Sequence, residues 1–163
     1  MNARHGDSSG IWTAIALRAG LVAGALDIIA AVVINTLRGS TPLRVLQSVA
    51  SGLLGRSSFD GGWATGGLGL ALHFAMMIVI AGVYAVFTAR LPWTGRRPLL
   101  AGAAYGVVVY AVMNLVVVPL SAFPARLSYP PSTLAIGLAV HVTCIGVPMA
   151  VIAAVTRRQR NEG

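Results

Sequence analysis

The sequence predicts an all-α polytopic membrane protein: a bundle of four transmembrane helices with an amphipathic or re-entrant helix on the outer side. Three observations carry that prediction. First, the 163-residue chain is 56% hydrophobic and 10% charged, with a mean hydropathy of +0.80, too little charge to cover the surface of a soluble domain of this size. Second, four apolar runs are each long enough to cross a hydrocarbon core, which takes roughly 20 helical residues. Third, the arginines sit at the ends of those runs, where membrane helices meet headgroups.

The first span is expected over residues 11–37. Arg18, about two turns in, would snorkel its guanidinium back to the headgroups. The opening "MNARHGDSSGIWTAIALRAG" has the basic start and apolar stretch of a signal peptide, but Arg18 interrupts the apolar part, so the segment is expected to stay uncleaved. The long connection that follows contains "STPLRVLQSVASGLLGR". Here Ser40 or Thr41 can cap a helix, Pro42 suits its first position, and Leu43, Leu46, Ala50, Leu53 and Leu54 share one face. Gln47 lies on that face, with Val45 and Val49 behind. A helix over 41–56 is therefore expected to lie in the outer interface or dip in as a re-entrant cap.

The second span is expected over 66–89 and the third over 98–122, joined by the short basic "RLPWTGRRP". Prolines 124, 130 and 131 make the next connection tight and extended, and the fourth span is expected over 132–156. The whole chain, 1–163, reads as a single membrane domain. "GLVAG" in the first span and "GAAYG" in the third are small-xxx-small patterns that let membrane helices touch closely. Pro119 and Pro148 should each free a backbone carbonyl one turn earlier, those of Leu115 and Cys144.

Charge sets partners and orientation. A net charge of +8 comes from twelve arginines, no lysine and four acids. Its distribution at span ends suits lipid phosphates and not a nucleic acid. Arg4, Arg90, Arg96, Arg97, Arg157, Arg158 and Arg160 fall on the side of the termini, and Arg38, Arg44, Arg56 and Arg126 on the other. That imbalance predicts cytoplasmic N- and C-termini. The lone Cys144 excludes an internal disulfide and reads as a small core residue.

Against this apolar background four polar side chains stand out, one per span: Asp27, His73, Asn114 and His141. Each lies about seven to ten residues from the outer end of its span, roughly 10–15 Å deep at the helical rise. Helical phase puts them on faces rich in glycine and alanine, so they are expected to form one polar layer facing protein, capped by Gln47. An ionised Asp27 in hydrocarbon would cost a few kcal/mol; it is expected to be protonated, paired with an imidazolium or wetted from outside.

Several readings of the layer are open. It can act as interhelical glue, or as an outward-facing pocket for a small solute, ion or proton, with Arg44, Arg56 and Arg126 at its mouth. Alternatively, His73 and His141, on parallel spans at matched depth, could ligate a b-type haem, or with Asp27 a metal ion. No cofactor is otherwise predicted. Paired carboxylates, a nucleophile elbow and a phosphate loop are all missing, so a non-enzymatic role is expected. Tyr84, Tyr105 and Tyr110 read as packing residues, and Trp12, Trp63 and Trp93 as interface anchors.

The segments "TPLRVLQSVASGLLG", "GLALHF" and "YGVVVYAVMNLVVVPLSA" resemble a family of bacterial four-span inner-membrane proteins of uncharacterised activity, over about residues 21–157. "LLAGA" opening the third span, Pro119-Leu120 closing it and a histidine in the fourth are also similar to YagU-type inner-membrane proteins, with Thr133 in a region where an acid would be expected. The resemblance implies a bacterial inner (cytoplasmic) membrane location and transfers no catalytic residue. Four spans enclose little volume, so a homo-oligomer or a larger membrane complex is the expected working form.

Overall fold

The computed structural model describes residues 3–124 and 130–162. Among them every regular element is helical. Helix α1 is Ala3–Leu37, α2 is Pro42–Leu54 with a 3-10 turn at Gly55–Phe59, and α3 is Gly62–Ala89. Short α4 is Pro92–Arg96, α5 is Pro98–Leu120, and α6 runs over 131–162. Helices α1, α3, α5 and α6 contain the four segments long and apolar enough to span a membrane: Gly10–Leu37, Gly62–Ala89, Pro98–Leu120 and Pro131–Gln159. The molecule is thus a four-helix membrane bundle. Ile29, Val79, Leu115 and Leu120 point away from the bundle, as side chains in contact with acyl tails must.

Local sequence sets the boundaries. Thr41 caps α2 by accepting a hydrogen bond from Arg44 N at 3.2 Å, with Pro42 at the first helical position. Gly55, at φ 62°, ends it, and Gly62, at φ 56°, opens α3; both are left-handed positions that glycine takes without a Cβ penalty. The basic connection after α3 holds α4, an element the sequence reading lacks. It forms because Pro92 can start a helical turn and Thr94 Oγ1 donates to Leu91 O at 2.7 Å. In α5 and α6 the turns before Pro119 and Pro148 are π-helical, at Met113–Val117 and His141–Gly146. A proline ring displaces the carbonyl one turn earlier, and the wider turn makes room for it.

Glycine contacts decide which spans are neighbours. Helix α1 lies against α3, where a Cβ on Gly20 would meet Ile78 Cα at 2.7 Å and one on Gly24 would meet Phe74 Cδ1 at 2.9 Å. Helix α5 lies against α6, where a Cβ on Gly102 would meet Gly146 O at 2.6 Å and one on Gly106 would meet His141 O at 2.6 Å. Both expected small-xxx-small patterns are therefore helix contacts. The two pairs join through α1 and α6, around Ile15, Ala19, Ala23, Ile145, Met149 and Ala153.

The fourth side of this ring is loose. Helices α3 and α5 meet at mid-depth, where Tyr105 Oη donates to Ile80 O at 2.7 Å and the Tyr84 and Tyr105 rings lie 4.9 Å apart. On either side of that bridge the seam opens into a cavity. One, of about 580 Å³, is lined by α2, α3 and α5 residues including Val49, Leu53, Met76, Val79, Met113 and Val117. The other, of about 290 Å³, lies towards α4 and is lined by Val83, Phe87, Trp93, Ala104, Tyr105 and Val108 among others.

Helix α2 fastens to α3 at Gly66 and Gly69, where added Cβ atoms would collide with Leu43 and with the Leu46 carbonyl. It reaches the end of α5 through Ala122 N donating to Gly52 O at 2.9 Å. The buried face of α2 is Val45, Gln47, Ala50 and Ser51. Of the expected face, Ala50 is buried and Leu43 and Leu46 lie against α3, but Leu53 and Leu54 are exposed, whereas Val45, placed on the back, is buried. The Gly66 notch takes the Leu43 side chain and the Gly69 notch the Leu46 backbone, which sets the face that α2 turns inward.

Candidate polar site within the bundle

The close approach of α1 and α3 at Gly24 determines the surroundings of His73. With no side chain on Gly24, its carbonyl is reachable, and His73 Nε2 donates to it at 2.9 Å while the ring packs edge-on against Phe74, centroids 5.5 Å apart. His73 is only 4% exposed. A carbonyl oxygen accepts only, so the proton sits on Nε2, and in the neutral ring Nδ1 is the acceptor. The direct partner of His73 is thus a backbone group, where the sequence had suggested another side chain.

His141 begins the π-helical turn of α6, and Gly137 one turn earlier is notched around Tyr110: a Cβ there would meet Tyr110 Cε2 at 2.7 Å. His141 Nδ1 donates to Gly137 O at 2.9 Å, and its ring stands edge-on to Tyr110, centroids 5.1 Å apart. Its proton sits on Nδ1, leaving Nε2 as the acceptor of the neutral ring. The two imidazoles therefore carry opposite tautomers. Asp27, half-buried and one turn beyond Gly24 on α1, lies within electrostatic reach of both His141 and His73. Asp27 thus links electrostatically two imidazoles carried on two other spans.

The two other expected members stand differently. Asn114 Nδ2 donates to Tyr110 O at 2.8 Å, within its own helix, which places it on the flank of the cluster beside the tyrosine that touches His141. Gln47 does not cap the layer. Its Nε2 donates to Gly62 O at 3.1 Å and to Thr65 Oγ1 at 3.3 Å, and it is 3% exposed. Thr65 precedes His73 on α3 by a little over two turns, about 12 Å, so Gln47 pins α2 to the start of α3 instead. Of the expected arginine mouth, Arg44 stacks over Phe59 at 5.0 Å, Arg56 is exposed, and Arg126 lies outside the described residues.

The metal and haem readings can be tested on these contacts. Among the described residues no three His, Cys, Asp or Glu side chains are placed to hold a metal ion. Haem ligation through His73 Nε2 would require breaking the bond to Gly24 O, so that bond leaves Nδ1 as the open ring nitrogen of His73.

A second polar group escaped the sequence reading. At the end of the bundle that carries the termini, Arg157 Nη2 donates to Ala85 O at 3.1 Å and to Thr88 Oγ1 at 2.7 Å. Thr88 Oγ1 in turn donates to Tyr84 O at 2.8 Å, and Thr94 Oγ1 reaches Thr88 O at 3.2 Å. By position alone Arg157 is one more headgroup arginine. The signal lay in Thr88, a hydroxyl in the last turn of an otherwise apolar span.

No known protein family matches this chain, nor does any curated protein or solved structure.

Proposed function

We propose that this multi-pass membrane protein carries protons, through Asp27, His73 and His141, as a non-enzymatic path or as the proton-handling subunit of a larger complex in a bacterial inner membrane. The reading is supported by one carboxyl and two imidazoles carried on three different spans, with Asp27 in electrostatic reach of both rings. Ionisable groups are costly within a bilayer and mark ion and proton pathways when they face a bundle interior. The opposite tautomers suit relay: His73 Nδ1 and His141 Nε2 can each take a proton that Asp27 releases, while the other ring nitrogen stays anchored to a carbonyl. A proton needs no solute-sized chamber, and the seam cavities between α3 and α5 are lined by other residues. In this reading the termini are cytoplasmic, on the side of the larger arginine set, and the cluster opens to the opposite face.

The test is proton entry into liposomes containing the purified protein and an internal pH dye, with a potassium diffusion potential as driving force. The wild type should acidify the lumen faster than empty liposomes, and Asp27→Asn should bring the rate down to the empty-liposome value. Unchanged flux in Asp27→Asn, together with a lower melting temperature, would assign the cluster to helix packing alone. A Soret band in the same purified protein would move the assignment to a haem carrier.

A further inference from the structure

The polar group around Arg157 and the apolar seam between α3 and α5 are parts of one surface. A cavity of about 170 Å³ lies between α3, α4 and α6, with Thr88, Thr94, Arg157 and Arg158 in its wall. The apolar cavity of about 290 Å³ shares Tyr84, Thr88 and Thr94 with it. A cationic chamber at headgroup level thus continues into a greasy groove running towards mid-bilayer. We infer that this surface binds one anionic glycerophospholipid, its phosphate held at Arg157 and Arg158 and an acyl chain lying along Val83, Phe87, Ala104 and Val108.

The charge of the chamber is fixed in place. Two hydrogen bonds from Nη2 hold the half-buried Arg157 guanidinium to α3, and the rest of its planar fork is a ready match for a phosphodiester. Arg158 shares the cavity wall and is exposed. Arg96 and Arg97, also exposed, lie between the lining residues Gly95 and Pro98. The two acids whose side chains are described are remote: Asp27 is in the mid-bundle cluster and Asp60 follows the 3-10 turn at the opposite end. Basic pockets between spans on the cytoplasmic side recognise anionic headgroups in this way. Trp93, 44% exposed on α4 and lining the groove, sits where an interfacial indole anchors. The groove persists because α3 and α5 are bridged by Tyr105 at mid-depth and tied by Thr94 and α4 at the end, leaving chain-wide space between. This inference does not depend on the proton reading.

The experiment is a titration of the detergent-purified full-length protein with phosphatidylglycerol, phosphatidylcholine of the same chains, or inorganic phosphate, read by melting temperature and by native mass spectrometry. Phosphatidylglycerol should raise the melting temperature in a concentration-dependent way and add one lipid mass, and the other two should do neither over the same range. Arg157 is itself part of the packing, so the diagnostic variants are Arg158→Gln and Ala104→Phe, both at exposed positions. Arg158→Gln should weaken the phosphatidylglycerol response about fivefold, the worth of one interfacial cation, and Ala104→Phe should block the groove and abolish the bound-lipid mass. Equal responses to the two lipids, an equal response to free phosphate, or a phosphatidylglycerol response untouched by both variants would each overturn the inference.

Discussion

His73 shows how a single ionisable side chain is accommodated in a lipid-facing fold. Its partner is a backbone carbonyl exposed by the missing side chain of Gly24, so the bond depends on two helices approaching closely and not on a second polar residue. Polar contacts of this kind between membrane helices are worth about 0.6–2 kcal/mol. His73→Leu should therefore lower stability by about that amount in a reversible unfolding assay in mixed micelles, with the span still inserted. His141 differs: its hydrogen bond is made within its own helix, it touches another span through the Tyr110 ring, and Asp27 acts on it through space. The sequence identified both histidines as the imidazoles of the spans. It could not reveal that each is anchored to a carbonyl, because carbonyls leave no trace in residue identity.

At the scale of elements, glycine position is the main determinant of packing. The Cβ of an alanine at 106 would lie 2.6 Å from His141 O and 2.7 Å from Val142 Cα, atoms of the backbone that cannot move aside alone, whereas one at 67 would meet nothing within 4 Å. The same chemical change should have opposite outcomes: Gly106→Ala should destabilise by about 1–3 kcal/mol as α5 and α6 are forced apart, and Gly67→Ala should be neutral or stabilising by up to about 1 kcal/mol. Thermal unfolding of the two variants side by side checks this. The glycine patterns in α1 and α5 were legible in advance because small-xxx-small spacing is a property of one helix. The π-helical turns at Met113–Val117 and His141–Gly146 were not. Proline tells where a helix must adjust, but the form of the adjustment is chosen by the neighbours it packs against.

On the scale of the whole molecule, the ring of contacts among the described residues runs α3, α1, α6, α5 and closes through Tyr105, α2 and α4. Consecutive spans α3 and α5 are thus the loosest neighbours in the ring, and both seam cavities lie there. The orientation of this ring in the bilayer follows from the arginines and has a direct readout. A fluorescent protein fused after Gly163 should fold and fluoresce in a bacterial host, and alkaline phosphatase at the same point should stay inactive; the reverse pattern would invert the topology and place the Arg157 chamber on the outer face.

By itself the sequence determined the solvent, the number of spans and the glycine stripes, because each follows from a quantity that runs along one chain: apolar length and residue spacing. Tertiary structure alone decided that Asp27 comes within electrostatic reach of both imidazoles, that Gln47 serves the α2 junction, that Arg157 latches onto Thr88, and that α3 and α5 stand apart. Those outcomes depend on which helices can approach within van der Waals distance, a property of facing surfaces from distant parts of the chain.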